Sequence, residues 1–161
     1  DLSETKVFLD TSGDPLKSAL EAKPTLIKPN VRELEEIYNR KLNLSEIIDI
    51  GKQLIKDGLE IVLVSMGEEG SLLIGEESVY QAVIPRVKPK STVGAGDSMV
   101  AVMAYKYIKR ESLQEMFQFA AAASISTISH SGTETGDLAD VKKWAEKVKI
   151  QPVENTEKIY Y

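Results

Sequence analysis

Short apolar runs and stretches of helical spacing take turns along the first 65 residues. Lys6-Val-Phe-Leu-Asp10 is brief and β-favouring, and it predicts a strand. Thr11 to Asp14 is turn chemistry. Asp14 followed by Pro15 predicts a helix capped by Asp14 with Pro15 in its first turn, ending near Ala22-Lys-Pro24. Thr25 to Lys28 predicts a second strand, stopped by Pro29, and Asn30 opens a helix through about Asn39. Ser45 is the predicted cap of the next helix, whose Ile47, Ile48, Gly51, Leu54 and Ile55 share one face until Gly58 ends it. Glu60-Ile-Val-Leu-Val-Ser65 is apolar without alternation, the pattern of a strand buried on both faces of a parallel sheet. Such alternation predicts an α/β fold: a mostly parallel sheet with helices on both faces.

Beyond Ser65 the period changes. Ser71 to Ile74 and Ser78 to Ile84 predict a β-hairpin turned at Gly75-Glu-Glu77. A basic loop from Pro85 to Pro89 leads to a glycine-rich turn, and a helix follows from about Gly96 to Lys109. Ser112 and Glu115 form a capping-box pattern for a helix that carries Ala120 to Ala123 and reaches about Ser129. His130 to Gly136 reads as a loop. Asp137 caps a last helix to about Val148, and Lys149 to Val153 suits an edge strand, where Pro152 is tolerated. The tail from Glu154 to Tyr161 is polar, so the expected organisation is one folded part, residues 1–153, and a tail, residues 154–161.

Composition narrows the partners more than the fold. A chain of 161 residues can bury a sizeable core. The net charge is −5, and Lys and Arg are scattered, so no nucleic-acid surface is expected. The sequence has no cysteine, which excludes disulfides and thiolate metal sites and fits a reducing, cytoplasmic compartment. No apolar run approaches the roughly 20 residues of a membrane span, so no membrane partner is expected. The first residues, Asp1-Leu-Ser-Glu-Thr-Lys6, are unlike a signal peptide, carry no initiator Met and run almost at once into a strand, which suggests a piece of a longer protein.

Three motifs carry candidate chemistry. Asn30-Val-Arg-Glu33 directly follows a strand. It reads as a helix cap, and equally as an amide and a carboxylate that help hold a hydrated magnesium beside phosphates, since magnesium keeps most of its waters. Both readings can hold at once. Ser65-Met-Gly-Glu-Glu-Gly70 follows the most apolar strand. It is either a tight turn needing positive φ or a nucleotide loop at the carboxyl end of a parallel strand. Gly94-Ala-Gly-Asp97 is the most specific of the three. A glycine turn feeding a helix N-terminus presents unpartnered N–H groups to an anion. A carboxylate placed there makes sense as the acceptor of a proton from a hydroxyl that attacks a phosphoryl group. The stretch is neither a Walker A loop nor a dinucleotide fingerprint. His130 has no partner residue for catalysis or metal binding in the sequence and reads as an adenine-loop or surface residue. Trp144 reads as packing, and Ala120 to Ala123 as a site of close helix approach or as room left for a flat base.

Taken in order, Asn30-x-x-Glu33, Ser65-x-Gly67-x-x-Gly70 and Gly94-Ala-Gly-Asp97 resemble the ribokinase-like carbohydrate kinases, the PfkB family. Residues 26–34 and 91–101 look most like its 1-phosphofructokinase branch, with tagatose-6-phosphate kinases second, and the resemblance covers about residues 6–153. It implies the C-terminal, nucleotide-binding portion of a three-layer α/β/α kinase fold. It implies ATP and Mg2+ as cofactors and a sugar phosphate as substrate, fructose 1-phosphate before tagatose 6-phosphate. Asp97 would be the base, and the N–H groups of Gly94, Ala95 and Gly96 the anion hole. Asn30 and Glu33 would organise the metal through water, with Lys28 nearby. Ser65, Met66, Gly67, Glu68, Glu69 and Gly70 would line the nucleotide, and Gly132 and the end of the Ala-rich helix would border the adenine. A homodimer of the full-length protein is a further implication.

Two departures from the family stand out. Members are about twice this length, and the half that carries most sugar contacts and a small β lid is missing here. Ribokinase itself has an aspartate six residues before the base, in a monovalent-cation site, whereas this chain has Ser91. The expectation is therefore half of a kinase, inactive alone, set against a non-catalytic nucleotide-binding module.

Overall fold

The computed structural model describes residues 5–132 and 136–153. The tail from Glu154 and the middle of the loop after His130 lie outside the described residues. In chain order the elements are β1 (Phe8–Leu9), α1 (Gly13–Glu21), β2 (Leu26–Ile27), α2 (Val31–Tyr38), α3 (Leu44–Lys56) and β3 (Ile61–Ser65). A 3-10 turn (Gly67–Glu69) leads to β4 (Ser71–Ile74), β5 (Val79–Val83), α4 (Ala95–Ile108), α5 (Leu113–Ile128), α6 (Leu138–Ala145) and β6 (Lys149–Pro152). The strands form one sheet in the order β1-β2-β3-β4-β5-β6. β1, β2 and β3 run parallel, with Phe8 opposite Leu26 and Leu26 opposite Ile61. The hairpin turn between β4 and β5 is closed by Gly75 N–H donating to Ser78 O at 2.9 Å.

The chain divides into two compact units. The first holds the described residues up to Met66, Leu72–Val79, and Pro152 and Val153. Its core joins Leu16 of α1, Ile27 of β2, Leu34 of α2, Ile48 of α3, and Val62 and Val64 of β3, all nearly inaccessible. Each such side chain contributes about 1.5–3 kcal/mol on burial. Of the helical face read from Ile47, Ile48, Gly51, Leu54 and Ile55, the first four are buried in α3 and Ile55 is half-buried. Strands β1 and β2 are shorter than the sequence suggests because their ends hand over to loop hydrogen bonds. Thr25 O accepts from both Glu60 N–H and Ile61 N–H, and its Oγ1 accepts from Val7 N–H at 3.0 Å.

The second unit holds Gly67–Ser71 and Tyr80–Gln151. Helix α5 packs against both α4 and α6. Ala120 to Ala123 are buried. Gln118 Nε2 donates to Ala145 O at 2.9 Å, which ties α5 to the end of α6. Lys106 of α4 is buried, paired with Glu111 and set 3.8 Å from the Phe119 ring centroid. Trp144 carries Lys147 over its ring at 4.7 Å.

Two predicted caps move. Helix α1 starts after Ser12, not after Asp14, and Asp14 sits in its first turn, where its charge still complements the dipole. Helix α3 is capped by Asn43, not Ser45. Asn43 has Glu46 three residues on and forms both bonds of a capping box, whereas Ser45 has Ile48 there. Helix α6 stops at Ala145, before Val148, and its Asp137 cap accepts from Asp140 N–H at 2.8 Å as expected.

Candidate active site

In the first unit the candidate residues collect at the carboxyl ends of β1, β2 and β3. An isolated parallel bridge between Asn30 and Ser65 extends the β2–β3 ladder, and Ser65 N–H donates to Pro29 O at 3.0 Å. The two residues therefore stand side by side at the carboxyl end of the ladder, where open α/β sheets bind ligands. Asn30 is also the N-cap of α2: its Oδ1 accepts from Glu33 N–H at 2.8 Å, and Glu33 Oε2 accepts from Asn30 N–H at 2.9 Å. The capping box uses one Glu33 oxygen and leaves the other available. Met66 follows Ser65 and is half-buried.

Lys28 is buried and pairs with Asp10 at 3.1 Å. Asp10 escaped the sequence reading. The parallel register explains the pair, because Leu9 lies opposite Ile27 and the next residues, Asp10 and Lys28, leave their strands together. A carboxylate directly after the first strand was the available signal.

In the second unit, Gly67, Glu68 and Glu69 form an exposed 3-10 turn, closed by Gly70 N–H donating to Gly67 O at 3.1 Å. Gly67 and Gly70 both take positive φ, 62° and 87°. A side chain at Gly70 would run into the Ala82 carbonyl of β5.

The same unit carries the glycine turn. Gly94 is the N-cap of α4 with φ 79°, and no side chain caps the helix. Ala95, Gly96 and Asp97 form the first turn, and their N–H groups have no intrahelical acceptor. Asp97 is exposed. Ser98 Oγ donates to Gly94 O at 2.9 Å and lies 2.7 Å from Thr127 Oγ1. Lys90 N–H donates to Ile128 O at 2.8 Å. Just past α5, His130 Nδ1 donates to Ser126 O at 2.7 Å, and exposed Gly132 takes φ 66°. Thr127 also escaped the sequence reading.

Among the described residues no group of three or more His, Asp or Glu is arranged to hold a metal ion. The free Glu33 oxygen and the Asn30 amide oxygen are hard donors, and such a sparse set suits a magnesium ion that keeps its waters and takes further oxygens from phosphates.

The model of the pfkB family carbohydrate kinases matches residues 2–140. This chain belongs to the PfkB family. It is 44% identical over 151 residues to a 1-phosphofructokinase of Haemophilus influenzae, covering 92% of this chain and 48% of that protein. A 1-phosphofructokinase of Borreliella burgdorferi is 35% identical over 153 residues, covering 94% of this chain and 49% of that protein. The structure of phosphofructokinase-2 from Escherichia coli in complex with substrates and products superposes with a TM-score of 0.82 at 35% identity, covering 88% of this chain and 47% of that one. The PfkB chain described here thus has the ribokinase-like α/β fold and spans about half the length of the relatives it matches.

Proposed function

We propose that this chain is the nucleotide-binding part of an ATP-dependent sugar-phosphate kinase, with fructose 1-phosphate as the acceptor. The observation that carries the reading is an exposed aspartate, Asp97, in the first turn of a helix whose N-terminus is left open by Gly94-Ala-Gly. PfkB carbohydrate kinases use ATP, generally with a divalent metal, and relatives named 1-phosphofructokinase at 35% and 44% identity support the choice of sugar. Tagatose 6-phosphate is the second candidate.

In this reading the acceptor hydroxyl oxygen bonds to the γ-phosphorus of ATP as the bond from that phosphorus to the β–γ bridging oxygen breaks. ADP leaves, and the hydroxyl proton passes to the Asp97 carboxylate. The N–H groups of the Gly94–Gly96 turn hold the equatorial oxygens of the moving group, where charge concentrates in a loose transition state. Asn30 and Glu33 would hold a magnesium ion through water, and the ion would supply charge neutralisation at the phosphates. Lys28, held by Asp10, adds a fixed positive charge at the strand ends. Ser65, Met66 and the Gly67–Gly70 turn line the nucleotide, and Gly132 borders the base.

The second reading is a nucleotide-binding module without catalysis. Two measurements separate them. Calorimetry of this chain with Mg–ATP tests the nucleotide site. A coupled assay of the polypeptide that joins this chain to the remaining half of the fold, against both sugar phosphates, tests the chemistry. Asp97→Asn is expected to lower kcat by about 10²- to 10⁴-fold, the range of general-base contributions, with Mg–ATP binding retained. Near-normal turnover in that variant removes Asp97 as the base.

A further inference from the structure

The turn between Lys90 and Ser98 is fixed at both ends to two neighbouring residues of one helix. At its start, Lys90 N–H donates to Ile128 O at 2.8 Å. At its end, Ser98 Oγ meets Thr127 Oγ1 at 2.7 Å. Thr127 and Ile128 are the last two residues of α5. The hydroxyl contact also has a direction. Ser98 has one hydroxyl proton and gives it to Gly94 O at 2.9 Å. Thr127 must then donate to Ser98 Oγ. The result is a chain from the Thr127 hydroxyl through the Ser98 hydroxyl to the Gly94 carbonyl, each bond polarising the next.

Thr127 is only 2% exposed, so water cannot replace its hydroxyl. Its methyl group also faces the turn: a Cβ at Gly94 would stand 3.7 Å from Thr127 Cγ2. The Gly94 carbonyl accepts Ser98 N–H as well, at 2.9 Å. Turning that peptide would break both bonds and re-aim the Ala95 N–H that belongs to the same peptide plane.

We propose that Thr127 is a positioning residue for the phosphoryl-binding turn: through Ser98 it sets the direction in which the Ala95 N–H group points. This rests on the reading of that turn as the anion hole. No role in the chemistry falls to Thr127 itself.

The test uses this chain, with Thr127→Val as an isosteric loss of the hydroxyl and Thr127→Ser as the rescue. Amide hydrogen exchange is read at Ser98, with Met103 in the same helix as the internal control, and Mg–ATP affinity is read by calorimetry. In Thr127→Val the Ser98 amide is expected to exchange about tenfold faster, the order of magnitude for one lost hydrogen bond. Met103 stays unchanged, and Mg–ATP binds about tenfold more weakly. Thr127→Ser restores both values. Unaltered Ser98 exchange in Thr127→Val overturns the inference. So does faster exchange with unaltered Mg–ATP affinity, which reduces Thr127 to a packing role, and so does a failed rescue by Thr127→Ser. No binding of Mg–ATP by the unsubstituted chain is a different failure: the turn is then not a preformed anion hole in this chain, and the inference that rests on it falls.

Discussion

Gly67 and Gly70 bracket one turn and share one conformational demand, yet substitution should treat them differently. Both lie at positive φ, 62° and 87°. An alanine in that region costs about 1–2 kcal/mol because its Cβ crowds the following carbonyl. The gain from a stiffer unfolded chain is common to the two and cancels in their difference. Their surroundings do not cancel. A Cβ at Gly67 meets nothing within 4 Å. A Cβ at Gly70 lies well inside 3.0 Å of the Ala82 carbonyl oxygen and 3.2 Å from its carbon. That oxygen belongs to the backbone of β5, so no rotamer change relieves the overlap. Moving a packed strand costs about a further 1–3 kcal/mol, the range for overpacking. Gly67→Ala is therefore expected to destabilise by about 1–2 kcal/mol and Gly70→Ala by about 2–5 kcal/mol. At about 2–4 °C per kcal/mol for a chain of this size, Gly70→Ala should melt visibly below Gly67→Ala. Urea denaturation followed by circular dichroism, with both variants run beside the unsubstituted chain, measures the gap. Equal midpoints for the two alanines would refute the reasoning, because they would mean that the collision with β5 costs nothing.

The Asp10–Lys28 pair gives an asymmetric prediction. Asp10→Ala leaves a buried ammonium without its partner and should cost about 1–3 kcal/mol, whereas Lys28→Met keeps the volume, removes the buried charge and should cost less. Urea midpoints in the reverse order would contradict this. Acid titration tests Glu46. The Asn43 backbone N–H, and then Arg40, hold its carboxyl below the usual 4.5. A lowered folded value means that the contribution is complete above 4.5 and fades as pH falls through the folded value. Below pH 4.5 the unsubstituted chain should lose stability more steeply than Glu46→Gln, and parallel pH curves would show that Glu46 contributes nothing.

Local chemistry was legible where it involved neighbours in sequence. Asn30 could be read as a cap because Glu33 completes the pattern three residues on, and the same rule applied to Asn43 would have displaced Ser45. The parallel β1–β2–β3 order follows from apolar runs separated by helices, and the glycine turn stands out by composition alone. Non-local partners were not legible. Asp10 reads as the last residue of a strand until the register of β1 against β2 sets it beside Lys28. Thr127 lies among buried alanines and isoleucines and reads as core, because its hydroxyl partner is 29 positions away. Hydrophobic periodicity reports which face is buried, not what a polar group on that face touches.

The Thr127–Ser98–Gly94 chain has a consequence for sequence drift. Loss of the hydroxyl at either 98 or 127 alone leaves the other buried or half-buried hydroxyl with one bond fewer, while loss of both together leaves an apolar contact of similar shape. Selection should therefore see these two positions as one. Among proteins that keep Gly-Ala-Gly-Asp, hydroxyl residues at 98 and 127 should appear and disappear in pairs, and a lone survivor should be the rare case.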